Sequence, residues 1–355
     1  MTDVMLPGRL GVPEMTLADD PRVDPRLGAR AAALGIGGHG DQPPFDGSAP
    51  LEALREFISA AEQGFTELFA TQFVDLTPVE GVERSEQTIT GTDGQEIALA
   101  IHRPAGAAGD RPGVLHLHGG GMAIQSMRDA QFVYWRDRLA AAGLVVVGVE
   151  FRNAGGALGP HPFPTGLDDC TAALDWVHAH RRELGISKLV VSGESGGGNL
   201  TLATAIRANH EGRLGAIDGI YAQCPFISGT WDDPPPELPS LVENDDYFIG
   251  TTIMSIMAAA YDPDRTQRTN PLVWPYHASA DDLRGFPPTV VSVNQLDPLR
   301  DEGLAFARKL ADAGVTVASR TVNGTCHAGD LLFPGQIPEV FAATVRDLVG
   351  FANSL

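Results

Sequence analysis

From residue 86 onward, apolar runs of strand length alternate with stretches of helix length, and this alternation limits the fold of the 355-residue chain more than any other feature. The segments 86–90, 96–102, 112–117, 144–149, 188–192, 217–222, 288–293 and 315–321 read as strands. Helices are expected over 126–142, 166–183, 198–210, 300–313 and 338–352. Parallel neighbours need a long crossover, and helices of this length supply it. The pattern predicts an α/β fold with a mainly parallel eight-stranded sheet and helices on both faces. The first two strands lie too close together for a crossover helix, so an antiparallel hairpin through Thr92-Asp93-Gly94 is expected there.

Two segments stand outside the alternation. Residues 1–49 are rich in Pro, Gly and Asp, with breakers at Gly35–Gly40 and Pro43-Pro44. An amphipathic helix follows from Leu51 to Phe73, its stripe formed by Leu54, Phe57, Ile58, Ala61, Phe65, Leu68 and Phe69. The stripe is expected to pack on the body of the protein, with some of its phenylalanines roofing a pocket. Between 224 and 285 the alternation breaks again, and Trp231-Asp-Asp-Pro-Pro-Pro-Glu-Leu-Pro239 cannot be sheet interior. The chain therefore divides into an N-terminal segment, 1–80, and a main domain, 81–355, with an insertion at about 226–280 passing over the top of the sheet.

Bulk properties exclude whole classes of function. The formal net charge is −20, with only Lys188 and Lys309 as lysines, so phosphate neutralisation on nucleic acid is not expected. The longest apolar stretch, near Leu139–Val149, is far too short for a membrane span. The opening Met1-Thr-Asp-Val-Met-Leu-Pro7 has no basic region followed by an apolar core, which predicts a cytoplasmic protein. Cys170, Cys224 and Cys326 lack metal spacing and cannot all pair with one another.

The chemistry concentrates around one serine. Gly193-Glu194-Ser195-Gly196-Gly197 follows the apolar Leu189-Val190-Val191 and precedes a helical stretch. A strand–G-x-S-x-G–helix context is a nucleophile elbow, in which a sharp turn lifts the serine hydroxyl clear of the sheet. The turn crowds the positions two before and two after the serine, and glycine occupies both. A serine nucleophile also needs a base, an orienting acid and donors for a developing oxyanion.

Those partners lie where late loops should deliver them. The strand ending at Val293 leads to Asp297, at the carboxyl edge of the sheet. Asp301 and Glu302 are rivals, but both belong to the first turn of the next helix, where acids are favoured electrostatically. His327 follows the last strand and is the only histidine beyond both Ser195 and Asp297; His277 precedes the acid and fails the order. His118-Gly119-Gly120-Gly121 follows a strand, and its glycines let several N–H groups converge. With Gly196 N–H they form the expected oxyanion hole: Gly119, Gly120, Gly121 and Gly196. His116 and His118 share a strand face but lack a third ligand at sensible spacing, so no metal is expected.

These motifs together, with Asp297-Pro-Leu-Arg-Asp-Glu-Gly303 between elbow and histidine, resemble the hormone-sensitive-lipase-like carboxylesterases of the α/β-hydrolase fold. The likeness covers roughly residues 85–350. It implies a helical cap built from the N-terminal region and the later insertion, ester hydrolysis without cofactors, and Gly120 and Gly121 as the principal oxyanion donors. A small-molecule ester is the implied partner, with a monomer or homodimer left open. Two features depart from the family pattern. The elbow reads Gly-Glu-Ser-Gly-Gly, and Phe151-Arg-Asn-Ala-Gly-Gly-Ala-Leu-Gly-Pro160 replaces the usual Tyr-Arg-Leu-Ala-Pro-Glu run, so substrate preference does not carry over. The same parts would serve a lactonase, thioesterase or amidase, and the fold also hosts non-catalytic receptors.

Overall fold

The computed structural model describes residues 6–39, 43–106 and 109–355. Of the expected N-terminal segment, residues 1–5 and 40–42 lie outside the described part, as does most of the opening heptapeptide. Eight strands form one sheet in the order β1-β2-β4-β3-β5-β6-β7-β8. They are β1 Val82–Thr90, β2 Glu96–Pro104, β3 Arg111–Leu117, β4 Val145–Val149, β5 Ile186–Glu194, β6 Gly219–Gln223, β7 Thr289–Leu296 and β8 Val317–Cys326. β1 and β2 form the expected antiparallel hairpin, with Thr90 opposite Glu96, and β2 also runs antiparallel to β4. All other pairings are parallel.

Consecutive side chains serve opposite faces of this sheet. Leu115, Val147, Val191 and Val291 join one buried cluster, together with Leu174, Leu200 and Phe306 from the helices Thr165–Ala179, Gly196–His210 and Arg300–Asp312. Val114, Val146, Val190 and Val290 join the other, against Trp135, Leu139, Phe341 and Leu348 of the helices Ala130–Ala141 and Pro338–Asn353. Each fully buried Val, Leu or Phe contributes roughly 1.5–3 kcal/mol, so both layers are needed to hold the sheet.

Boundaries shift where side chains intervene. The helix expected from 126 begins at Ala130, because the Glu150 carboxylate takes Ser126 Oγ at 2.8 Å and Met127 N at 3.0 Å. β8 runs past 321 to Cys326, and Leu296 on β7 pairs with Cys326 after a register shift. That pairing makes Asp297 and His327 leave the sheet side by side.

The two segments outside the alternation meet above the carboxyl edge. The helix Leu51–Phe73 packs on the helix Thr251–Tyr261. Leu17, Val23, Leu27 and Phe69 are buried against Leu296, Cys326, Ala328 and Phe333. Glu243 binds both terminal nitrogens of Arg300, at 2.8 and 2.9 Å, and also pairs with Arg22. Burial raises the Glu243 pKa, but the two guanidinium groups outweigh it and hold the carboxyl below its ordinary value. No described helix is long and apolar enough to cross a membrane.

Candidate active site

Ser195 stands at φ 57°, ψ −119° between β5 and the helix Gly196–His210. A non-glycine residue in such a region carries roughly 1–3 kcal/mol of strain and needs surroundings that hold it. Here Ser195 N donates to Gln223 O at 2.9 Å, and Ser195 O accepts from Asn199 N at 3.0 Å and Phe226 N at 3.1 Å. The flanking glycines are sterically required. A Cβ at Gly193 would lie 2.3 Å from Leu117 O, and one at Gly197 would lie 1.9 Å from the same atom.

His327 Nδ1 and Asp297 Oδ2 are 2.9 Å apart. With Nδ1 donating to the carboxylate, Nε2 is left as an acceptor. The other Asp297 oxygen accepts Leu299 N at 2.9 Å, and Asn244 of the insertion donates to the Asp297 carbonyl at 3.2 Å. His327 and Ser195 line the same cavity. The rival acids turn elsewhere. Asp301 accepts Ser240 N at 2.8 Å, and Glu302 accepts Ile227 N, Ser228 N and Trp231 Nε1. Glu302 is wholly buried, and desolvation lifts its pKa to about 8 despite those donors. It anchors the insertion, which its reading as a helix-terminal charge did not anticipate. His277 is bonded to Ser228 O at 2.9 Å.

The four expected oxyanion donors do not all qualify. Gly119 N already donates to Glu194 Oε1 at 2.8 Å, so Gly119 is removed from the set. Gly120, Gly121 and Gly196 N–H groups have no backbone partner among the described residues, and Gly196 opens its helix, where the first N–H groups are unpaired by geometry. Gly120 and Gly121 sit at φ 104° and 59°. A Cβ at Gly196 would come within 2.6 Å of Gly121 N, which measures how closely the two loops approach.

Glu194 is the functional side chain that sequence reasoning missed. Its second oxygen meets His116 Nε2 at 3.0 Å, and both partners are more than seventy residues away in the chain, at separations of 75 and 78. His118 stacks on Phe151 with ring centroids 4.1 Å apart, and its Nδ1 donates to Gly119 O at 2.8 Å. Burial pushes its pKa down to about 3, so it is a neutral brace for the glycine loop. His116 and His118 are thus both committed to that loop. Cys224, Asp297 and His327 place ligand-type atoms within 4.8 Å of one another. The set is poor for a cation: burial raises the Cys224 thiol well above its ordinary pKa, and both Asp297 oxygens are occupied.

The cavity measures about 670 Å³ and opens to solvent. Phe65 and Phe69 of the N-terminal helix line it together with Ile253, Met254 and Met257 of the insertion. The stripe thus divides: Phe57 packs on Phe45 at 5.8 Å and Phe73 on Tyr134 at 5.7 Å, away from the cavity. Glu194 and His327 are the titratable groups on the wall, and the rest is largely apolar.

Comparison with known proteins agrees with this geometry. Residues 114–330 match the model of a family described by its alpha/beta hydrolase fold. Esterase LipI of Mycobacterium tuberculosis is 31% identical over 272 residues, 71% of this chain and 80% of that protein. Carboxylesterase NlhH of the same species is 32% identical over 281 residues, covering 77% and 83%. Among solved structures, brefeldin A esterase, described as a bacterial homologue of human hormone-sensitive lipase, superposes with a TM-score of 0.95 at 47% identity, covering 98% of both chains. Esterase Est22 superposes with a TM-score of 0.84 at 36% identity, covering 95% of this chain and 99% of that one. A shared sheet order alone would mark a fold, but identity of this extent along nearly the whole length marks descent, and the chain belongs to the hormone-sensitive-lipase-like carboxylesterases of the α/β-hydrolase family.

Proposed function

We propose that this chain hydrolyses carboxylic esters by acyl transfer to Ser195, with His327 as general base and Asp297 as its orienting acid. The observation that carries the reading is the Asp297–His327 pair, facing the same cavity as a serine strained out of the sheet. Ser195 Oγ attacks the ester carbonyl while His327 Nε2 takes its proton. Negative charge then builds on the carbonyl oxygen, and the N–H groups of Gly120, Gly121 and Gly196 stabilise it. Such donors act without reorganisation and are worth roughly 3–4 kcal/mol each at the transition state. The imidazolium, held by Asp297, protonates the leaving alcohol, and water repeats the cycle on the acyl-enzyme. No step requires a cofactor.

The N-terminal segment 1–80 and the insertion 226–280 act in this proposal as a cap over the site, supported by the aromatic and methionine side chains each contributes to the wall. The substrate is a small ester with an uncharged, apolar body, handled in the cytoplasm. The test is a p-nitrophenyl ester series from acetate to palmitate, run with wild type and Ser195→Ala. Turnover should be lost in the variant with its fold intact; wild-type rates in Ser195→Ala would overturn the assignment. Matched thioester and anilide substrates separate ester chemistry from its neighbours.

A further inference from the structure

A second, small pocket adjoins the main cavity, walled by Gln131, Phe132, Trp135, Glu194, Leu331 and Leu332. Gln131, Phe132, Glu194, Ala328 and Leu332 line both spaces, so the two share this wall and Gln131 borders each of them. Gln131 is 4% exposed and Trp135 is 3% exposed. Both carboxamide atoms of Gln131 and the indole Nε1 of Trp135 have no hydrogen-bond partner among the described residues. Buried polar groups are nearly always paired, and an orphaned amide beside an indole N–H marks a place completed by something the fold does not supply.

We propose that Gln131 and Trp135 form a subsite for a neutral hydroxyl group carried by the ester substrate, an inference that rests on the esterase reading above. The chemistry selects this class. The orphaned groups are two donors, Gln131 Nε2 and Trp135 Nε1, and one acceptor, Gln131 Oε1. A hydroxyl accepts from a donor and donates its own proton to the acceptor. A carbonyl would leave Gln131 Oε1 unpaired, and an ammonium has no lone pair for the indole. A carboxylate would face the Glu194 carboxylate in the same chamber. Phe132, Leu331 and Leu332 complete the walls and suit the carbon chain that carries the hydroxyl. The hydroxyl belongs to either the acyl or the alcohol half, and the test separates the two.

Hydrolysis is followed by pH-stat for ethyl hexanoate against ethyl 3-hydroxyhexanoate and ethyl 6-hydroxyhexanoate, and for butyl hexanoate against 4-hydroxybutyl hexanoate. Wild type, Gln131→Leu and Trp135→Phe are compared. The expected result is a kcat/KM preference of about tenfold for one hydroxylated ester over its parent, on the scale of one well-made hydrogen bond. Gln131→Leu should abolish that ratio and Trp135→Phe should reduce it. A purely structural role for these residues would lower both members of a pair together. The proposal is overturned if the ratio of every hydroxylated ester to its parent is the same in all three proteins, which would make the chamber a water site. Trp135→Phe removes the indole N–H together with the pyrrole ring but keeps an aromatic ring in the apolar wall, so it decides the matter if Gln131→Leu does not fold. If wild type cleaves no parent ester, the esterase reading itself fails, a result distinct from an unchanged ratio.

Discussion

The carboxylate of Glu194, the residue immediately before Ser195, accepts the N–H of Gly119 at 2.8 Å and so ties the elbow to the glycine loop opposite. The bond takes Gly119 out of the donor set while fixing the two glycines that follow it. His116, on the other oxygen at 3.0 Å, completes the tether.

Replacing Glu194 with Ala should leave buried Gly119 N–H unpaired and release the loop. We expect kcat to fall about 100-fold, on the scale of a lost oxyanion donor, and stability to fall by about 1–3 kcal/mol. Glu194→Gln retains an acceptor for Gly119 and should lose far less. Steady-state kinetics and thermal melts of the two variants check this; equal losses in both would show that charge, not the hydrogen bond to the loop, is what matters.

Asp297→Asn leaves the fold intact but presents an amide N–H to the imidazole, favouring the wrong tautomer. The expected loss in kcat is roughly 10⁴-fold with little change in KM. A variant reduced by less than tenfold would hand the orienting role to another group, although Asp301 and Glu302 are both engaged with the insertion.

Glycine substitutions should separate packing from backbone angle. In Gly197→Ala the new Cβ meets backbone, 1.9 Å from Leu117 O, and nothing there can move without parting the sheet from the elbow. In Gly121→Ala the nearest atom is Met257 Sδ at 2.6 Å, a flexible side chain, leaving the positive φ of 59° as the principal cost. Gly197→Ala should yield little folded protein, whereas Gly121→Ala should fold with a reduced kcat. Circular dichroism and activity of both variants test the contrast.

Glu302 gives a pH dependence of stability with a definite sign. Its folded pKa of about 8 lies above its ordinary 4.5, so the folded state holds a proton that the unfolded chain has released across that window. Stability from this group is therefore fully present below about pH 4.5 and is lost as pH rises towards 8. Thermal melts from pH 4.5 to 9 should show wild type falling relative to Glu302→Gln over this range. A difference that stays flat with pH would mean that the three donors on Glu302 keep it ionised throughout.

Much of this site was legible because its parts depend on local rules. The elbow needs glycine at 193 and 197, and the close approaches to Leu117 O show why. Ser195, Asp297 and His327 stand on loops at one edge of a parallel sheet, and the strand–helix alternation foretold helices on both of its faces. The residues alone could not rank the donor set, although the family resemblance pointed to Gly120 and Gly121: four consecutive or neighbouring N–H groups look alike until one of them meets Glu194 across 75 residues.

Sequence by itself thus determined the strand–helix alternation and the residue types at the elbow, because backbone sterics and hydrophobic period act within a few residues. Tertiary structure alone decided which N–H groups stay free, that Asp301 and Glu302 hold the insertion, and that Gln131 and Trp135 share a chamber with Glu194. Those outcomes depend on the register of β7 against β8 and on packing between segments far apart in the chain, where pairing energies are settled only once the whole sheet has closed.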